Sequence, residues 1–147
     1  MFDRILVPTD GSALSEKAVA SAIGLAAQHH AALVVLTVIR NHSVSYFEGV
    51  SPYAPEEIAR AEATSTEAAQ SALNALIPRA RTSAVNLQTL TMVSDSVGEA
   101  IIETAQKHHS DLIVMASHGR RGIAQLLLGS ETQYVLTHSK LPVLVVR

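Results

Sequence analysis

Two short segments hold the residue types from which a ligand site is built. The first is Pro8-Thr9-Asp10-Gly11-Ser12, a polar turn that follows the apolar run Phe2 to Val7. The second follows Asp111 to Ala116 as Ser117-His118-Gly119-Arg120-Arg121-Gly122 and resumes at Gly129-Ser130. Gly119, Gly122 and Gly129 let the backbone approach a ligand closely and allow φ > 0. Gly129-Ser130 opens a helical stretch, where free N–H groups and the helix dipole favour anions. Arg120 and Arg121 add positive charge, so this segment suits a phosphate. Asp10 suits a ribose hydroxyl, a magnesium ion or an ammonium-like group. Each residue also has a plain structural reading: Gly119 and Gly122 as turn residues, Ser130 as a helix cap, Asp10 as a local Asx turn, the arginines as solvated surface. Neither a Walker A pattern nor a GxGxxG after the first apolar run is present.

The seven histidines offer less. His29-His30 and His108-His109 fall at expected helix C-termini, where the dipole favours cations. Adjacent residues do not share a helix face, so each pair is a poor chelate. There is no HExxH, and no metal site is expected from the protein alone. His118 lies in the second segment, but no Ser-His-Asp arrangement is legible and no residue is assigned a catalytic role.

The two segments form one site only if the fold brings them together. Strand-length apolar runs alternate with helical stretches. Phe2 to Val7, Leu33 to Ile39, Val85 to Val93, Asp111 to Ala116 and Leu141 to Val146 read as strands. Leu33 to Ile39 is almost wholly apolar, as in a strand buried on both faces of a parallel sheet. In Val85 to Val93, the residues Val85, Leu87, Thr89, Thr91 and Val93 share one face. Helices are expected over Ser12 to His30, over Glu56 to Leu76 with Pro78 marking the end, from Ser96 to about His109, and from Ser130 to about His138. Ser96-Val97-Gly98-Glu99 and Ser130-Glu131-Thr132-Gln133 match the capping-box pattern. Asn41 to Pro55 reads as a long loop. The order β-α-β-α-β-α-β-α-β implies a single α/β domain over residues 1–147, a doubly wound parallel sheet with helices on both faces. In such sheets ligands bind beyond the carboxyl ends of the strands, where strand order reverses. Both segments are strand exits, and they meet if the first and fourth strands are neighbours.

Composition narrows the partners. The chain has 147 residues, one domain by size. Its 11 basic and 13 acidic residues leave no basic excess, which argues against nucleic acid as a partner. No cysteine is present, which excludes thiol catalysis, disulfides and cysteine-ligated zinc. No apolar run approaches the roughly 20 residues of a membrane helix, and Met1-Phe2-Asp3-Arg4 is not a signal sequence. The expectation is a soluble, cytoplasmic protein.

Over its whole length the chain resembles the universal stress protein A superfamily. Ile5-Leu6-Val7-Pro8-Thr9-Asp10-Gly11-Ser12 is similar to that family's first strand and turn. Ala116-x2-Gly119-x9-Gly129-Ser130 resembles its nucleotide signature, Gly-x2-Gly-x9-Gly-Ser/Thr, with alanine at the first position. Leu141-Pro142-Val143-Leu144-Val145-Val146 is similar to its ending. The resemblance implies strand order 3-2-1-4-5 and ATP, with Mg2+ as an accompanying ion, as the ligand. It places Pro8, Thr9 and Asp10 along the adenosine, with Asp10 near the ribose or the ion. Val38 would present backbone to the adenine, Met115 and Ala116 would flank the adenosine, and Gly119, Gly129, Ser130, Glu131 and Thr132 would meet the phosphates. Alanine at 116 is tolerable where φ is negative and costly where it is positive. The resemblance also implies a homodimer paired through the last strand.

The resemblance thus implies an ATP-binding regulatory protein of the stress response, with any hydrolysis slow because no base is placed for an attacking water. The alternative is a nucleotide-free homodimer in which Ala116 marks a degenerate site. A nucleotidyl-transfer or phosphatase-like enzyme needs a second partner near Asp10, for which only His118 and the arginines are available. A receiver domain fits poorly: Val93-Ser94-Asp95 is a partial match, but Arg147 directly follows the fifth strand with no lysine.

Overall fold

A computed structural model describes residues 1–41, 54–120 and 128–147. Within them the elements are β1 (Arg4–Pro8), α1 (Ala13–His29), β2 (Ala32–Arg40), α2 (Pro55–Asn74), α3 (Ile77–Thr82), β3 (Leu87–Ser94), α4 (Val97–Lys107), β4 (Leu112–Ala116), α5 (Ser130–His138) and β5 (Val143–Val146). The strands form one parallel five-stranded sheet in the order β3-β2-β1-β4-β5. The expected fold class and strand order therefore hold. The chain reverses direction of travel across the sheet between β1 and β4, which sit side by side.

The period of two along each strand sorts the apolar side chains into two layers. Ile5, Val7, Leu33, Val35, Leu112, Val114 and Ala116 pack with Val19, Ile23 and Leu73 of α1 and α2 on one face. Leu6, Val34, Leu36, Ile113 and Met115 pack with Ile101 and Val135 of α4 and α5 on the other. Removing most of such a buried side chain typically costs about 2–5 kcal/mol, so this double layer rigidly fixes the strand exits. No helix among the described residues is long and apolar enough to cross a membrane.

Some local expectations are corrected. Pro78 does not merely end a helix: α2 stops at Asn74 and Pro78 sits in the first turn of α3, where its fixed φ is favourable and its missing N–H is not needed. The third strand begins at Leu87, not Val85. Leu87 packs under α1 and α2 as the alternation requires, and Thr89 meets Gln70 of α2 at 3.3 Å. Val93, by contrast, is exposed. Neither expected capping box forms. At α4 the Ser96 side chain caps nothing, and its N–H is taken instead by Ser94 Oγ at 3.2 Å. At α5 the cap residue is Gly129, and Ser130 is already helical. Most of the expected loop from Asn41 to Pro55, and Arg121 and Gly122, lie outside the described residues.

Candidate functional site

The exits of β1 and β4 are tied together by one carboxylate. Asp10 Oδ1 accepts the Ser12 N–H at 2.9 Å, the local turn expected of an aspartate here. Its Oδ2 accepts the Arg120 N–H at 2.8 Å, a link across 110 positions. Gly119 permits that link. A Cβ at this position would lie 2.6 Å from Asp10 Oδ2. Burial raises the Asp10 pKa, but hydrogen bonds from the Ser12 side chain and backbone and from the Arg120 N–H outweigh it, so it lies below the ordinary 3.8. Below this tie is a buried polar layer. Thr9 Oγ1 and Ser15 Oγ are 3.0 Å apart, and Thr37 Oγ1 donates to Thr9 O at 3.1 Å.

The second segment returns to the sheet at Gly129, whose N–H donates to Ser117 O at 2.6 Å. A Cβ on Gly129 would meet His118 Cα at 3.2 Å, so close approach is what this glycine supplies. Its φ is −71°, and Gly11 is the described glycine with positive φ. Of the two uses expected for Gly119 and Gly129, close approach is the one the structure makes. Thr132 Oγ1 donates to Ala116 O at 2.9 Å and pins the first turn of α5 to the end of β4. Among the described residues no side chain caps α5. The N–H groups of its first turn, from Ser130 onward, have no acceptor within the helix and point out of its N-terminus.

Strand β2 outruns its neighbour. Pairing with β1 ends at Pro8 opposite Leu36, and Thr9 N–H reaches Leu36 O at 2.8 Å. Alternate residues of a strand present backbone to the same side. Val38 therefore turns its N–H and C=O toward a side on which β1 has ended.

These features enclose one crevice of about 520 Å³. Every residue expected at the site lines it: Pro8, Thr9 and Asp10 from β1 and its exit, Val38 from β2, Met115 and Ala116 from β4, then Gly119, Gly129, Ser130, Glu131 and Thr132. Ala116 does not have positive φ; among the described residues other than glycine, His30, Ala84 and His109 do. Alanine is thus unstrained there.

Sequence reasoning missed several lining residues: Thr37, Arg40, Ser15, and Val97 with Ile101 of α4. Spacing would have found some of them, since Arg40 follows Val38 by two along a strand and Ile101 follows Val97 by four along a helix. Arg120 and His118, noted in the loop but left out of the site, also line it. The role of the Glu131 side chain was not foreseen. Its Oε1 pairs with Arg40 Nη2 at 2.7 Å, and its Oε2 accepts the Gly98 N–H at 2.9 Å, capping α4 from α5. Among the described residues no group of three His, Asp or Glu side chains could hold a metal ion.

A parallel 3-2-1-4-5 sheet with helices around it and a crevice at the carboxyl ends of β1 and β4 defines a Rossmann-like fold. The sequence profile of the Universal stress protein family matches residues 1–147. A universal stress protein of Methanocaldococcus jannaschii is 32% identical over 147 residues, covering 100% of this chain and 83% of that protein. Among solved structures, the universal stress protein UspA from Lactobacillus plantarum superposes with a TM-score of 0.88 at 27% identity, over 99% of this chain and 97% of that one. A universal stress protein solved in complex with cAMP has a TM-score of 0.73 at 26% identity, over 99% and 97% of the chains. The chain belongs to the universal stress protein family.

Proposed function

We propose that this protein takes ATP in the crevice at the carboxyl ends of β1 and β4 and acts as a regulatory binding protein of the stress response. The observation that carries this reading is the convergence of every expected contact residue on one crevice. Its volume falls within the roughly 300–1,000 Å³ usual for small-molecule sites. A related protein is solved with an adenine nucleotide, cAMP, which supports the adenine half of the ligand.

The residues suit each part of ATP. Met115 and Ala116 supply apolar wall for the adenosine, and the spare backbone edge at Val38 offers a donor and an acceptor for the base edge. Asp10, held ionised, would accept from ribose hydroxyls. Gly119 and Gly129 leave room for phosphates, and the first N–H groups of α5 supply donors aligned with the helix dipole. Mg2+ would arrive bound to the phosphates, with Asp10 near it.

A binding role fits the acid groups better than hydrolysis does. Asp10 and Glu131 each have both oxygens engaged. The low pKa of Asp10 makes it a weak general base. Assembly through β5 is part of the reading: it is the edge strand beside β4, and Leu144 on it is 41% exposed. Pairing with a second copy would cover that edge. Work in the cytoplasm completes the reading.

The test is calorimetric titration with ATP, with and without Mg2+, beside GTP and an Asp10→Ala variant. Saturable ATP binding that weakens at least tenfold in Asp10→Ala is expected. No binding up to millimolar ATP overturns the reading in favour of a nucleotide-free dimer.

A further inference from the structure

Arg40 stands on the crevice rim with its charge committed to a replaceable partner. It comes from the end of β2, and its guanidinium reaches Glu131, the residue after Ser130 in the first turn of α5. Both side chains line the crevice. They are 43% and 35% exposed, and an ion pair that open to water contributes little stability. Glu131 does not depend on it, because its other oxygen holds the Gly98 N–H. An arginine carries five donors in a planar fork suited to phosphate oxygens, and among the described residues its Nη2 contact with Glu131 uses only part of that fork. The second arginine of the crevice is placed differently. Arg120 lies against Gly11, where a Cβ would meet its Nη2 at 2.9 Å, and its backbone N–H is held by Asp10.

We propose that Arg40 is a specificity residue that makes the crevice favour nucleoside polyphosphates over monophosphates and nucleosides, by exchanging Glu131 for the outer phosphates of the ligand. The inference rests on adenine-nucleotide binding in this crevice. On this proposal a ligand without outer phosphates leaves Arg40 on Glu131. With a long phosphate chain the guanidinium turns to the oxygens. Glu131 then keeps Gly98, so the contact between α4 and α5 survives the exchange. Glu131 acts as a competitor for Arg40, and its own charge opposes phosphates near α5.

The consequence is a pair of opposite effects. Adenosine, AMP, ADP and ATP are titrated in the presence of a chelator into the wild type, Arg40→Gln, Arg40→Lys and Glu131→Gln. Glutamine at 131 keeps an acceptor for Gly98. Arg40→Gln is expected to weaken ATP and ADP about tenfold and adenosine less than twofold. Arg40→Lys restores most of that loss, and Glu131→Gln tightens ATP several-fold. Thermal melting of each variant checks that the fold is kept. A uniform loss across the four ligands in Arg40→Gln, or weakening of ATP in Glu131→Gln, overturns the inference while leaving nucleotide binding intact. Failure of the wild type to bind any of the four overturns the underlying reading as well.

Discussion

The two ends of the sheet solve the same problem in opposite ways. At the amino end α1, α3, α4 and α5 terminate, and the first three close themselves on a left-handed residue. His30, Ala84 and His109 adopt left-handed φ of 56°, 55° and 53°. Behind them Ala31 N–H returns to Ala26 O, Val85 to Ala80 O and Ser110 to Ala105 O. This is the six-to-one closure that satisfies a helix's last carbonyls, and it is achieved here without glycine. At the carboxyl end the helices that follow strands begin. Ser12 caps α1 through the Ser15 N–H, Glu57 reaches back to the Ala54 N–H at α2, and Glu131 takes the Gly98 N–H at α4. Among the described residues α5 has no side-chain cap. The difference is one of closure: at the amino end backbone polarity is satisfied within the helices, and among the described residues the start of α5 is left without a side-chain cap at the mouth of the crevice.

The largest expected effect comes from disturbing the tie that holds the open end in shape. Gly119→Ala puts a methyl 2.6 Å from Asp10 Oδ2 and must drive the carboxylate off the Arg120 N–H. Losing hydrogen bonds to a charged but partly solvated group costs about 1–2 kcal/mol. ATP affinity should fall more than tenfold with it. Denaturant unfolding and titration check both. The same tie has a pH signature. Because the folded pKa of Asp10 is depressed, its contribution is fully present above 3.8, and it is lost as pH falls through the lower folded value. Wild type should therefore lose more stability than Gly119→Ala below pH 3.8. Equal acid profiles would show that Asp10 holds nothing.

The closed end predicts an effect of opposite sign. Ala84 carries a side chain in a left-handed conformation with no side-chain hydrogen bond to offset the strain. Ala84→Gly should stabilise the fold by about 1 kcal/mol, reduced by the greater freedom of glycine in the unfolded chain. Nucleotide affinity should not change, since α3 and β3 meet at the far end. A melting temperature that falls in this variant would mean that the closure depends on the alanine methyl.

Much of the fold is legible in the sequence. The strands stand out because β1, β2, β4 and β5 are mostly apolar runs and β3 shows a period of two, and the two polar strand exits contrast with them. The ties that build the site do not stand out. Asp10 to Arg120 and Arg40 to Glu131 join residues 110 and 91 positions apart, and nothing local encodes either. Capping motifs misled for a related reason. Ser96 and Glu99 have the right spacing, yet Glu131 supplies the cap from another helix and Glu99 meets Tyr134 Oη at 3.3 Å. Pro78 was ambiguous because proline both stops one helix and starts the next.

The smallest effect is the most telling for the site. Ala116 stands where the family signature has glycine, and the degenerate-site alternative rests on that methyl. Two facts oppose a penalty. Ala116 sits in extended β4 without positive φ, and it belongs to the apolar layer beneath α1 while its carbonyl holds Thr132. The methyl thus fills core on one side and touches the crevice on the other. Restoring glycine removes packing and frees the backbone of the unfolded chain, so Ala116→Gly should cost about 0.5–1 kcal/mol of stability. ATP affinity should change less than threefold. A tenfold gain in affinity would instead show that the methyl occupies ligand space, and that the open end of the sheet had been partly closed at the one position where this chain departs from the signature.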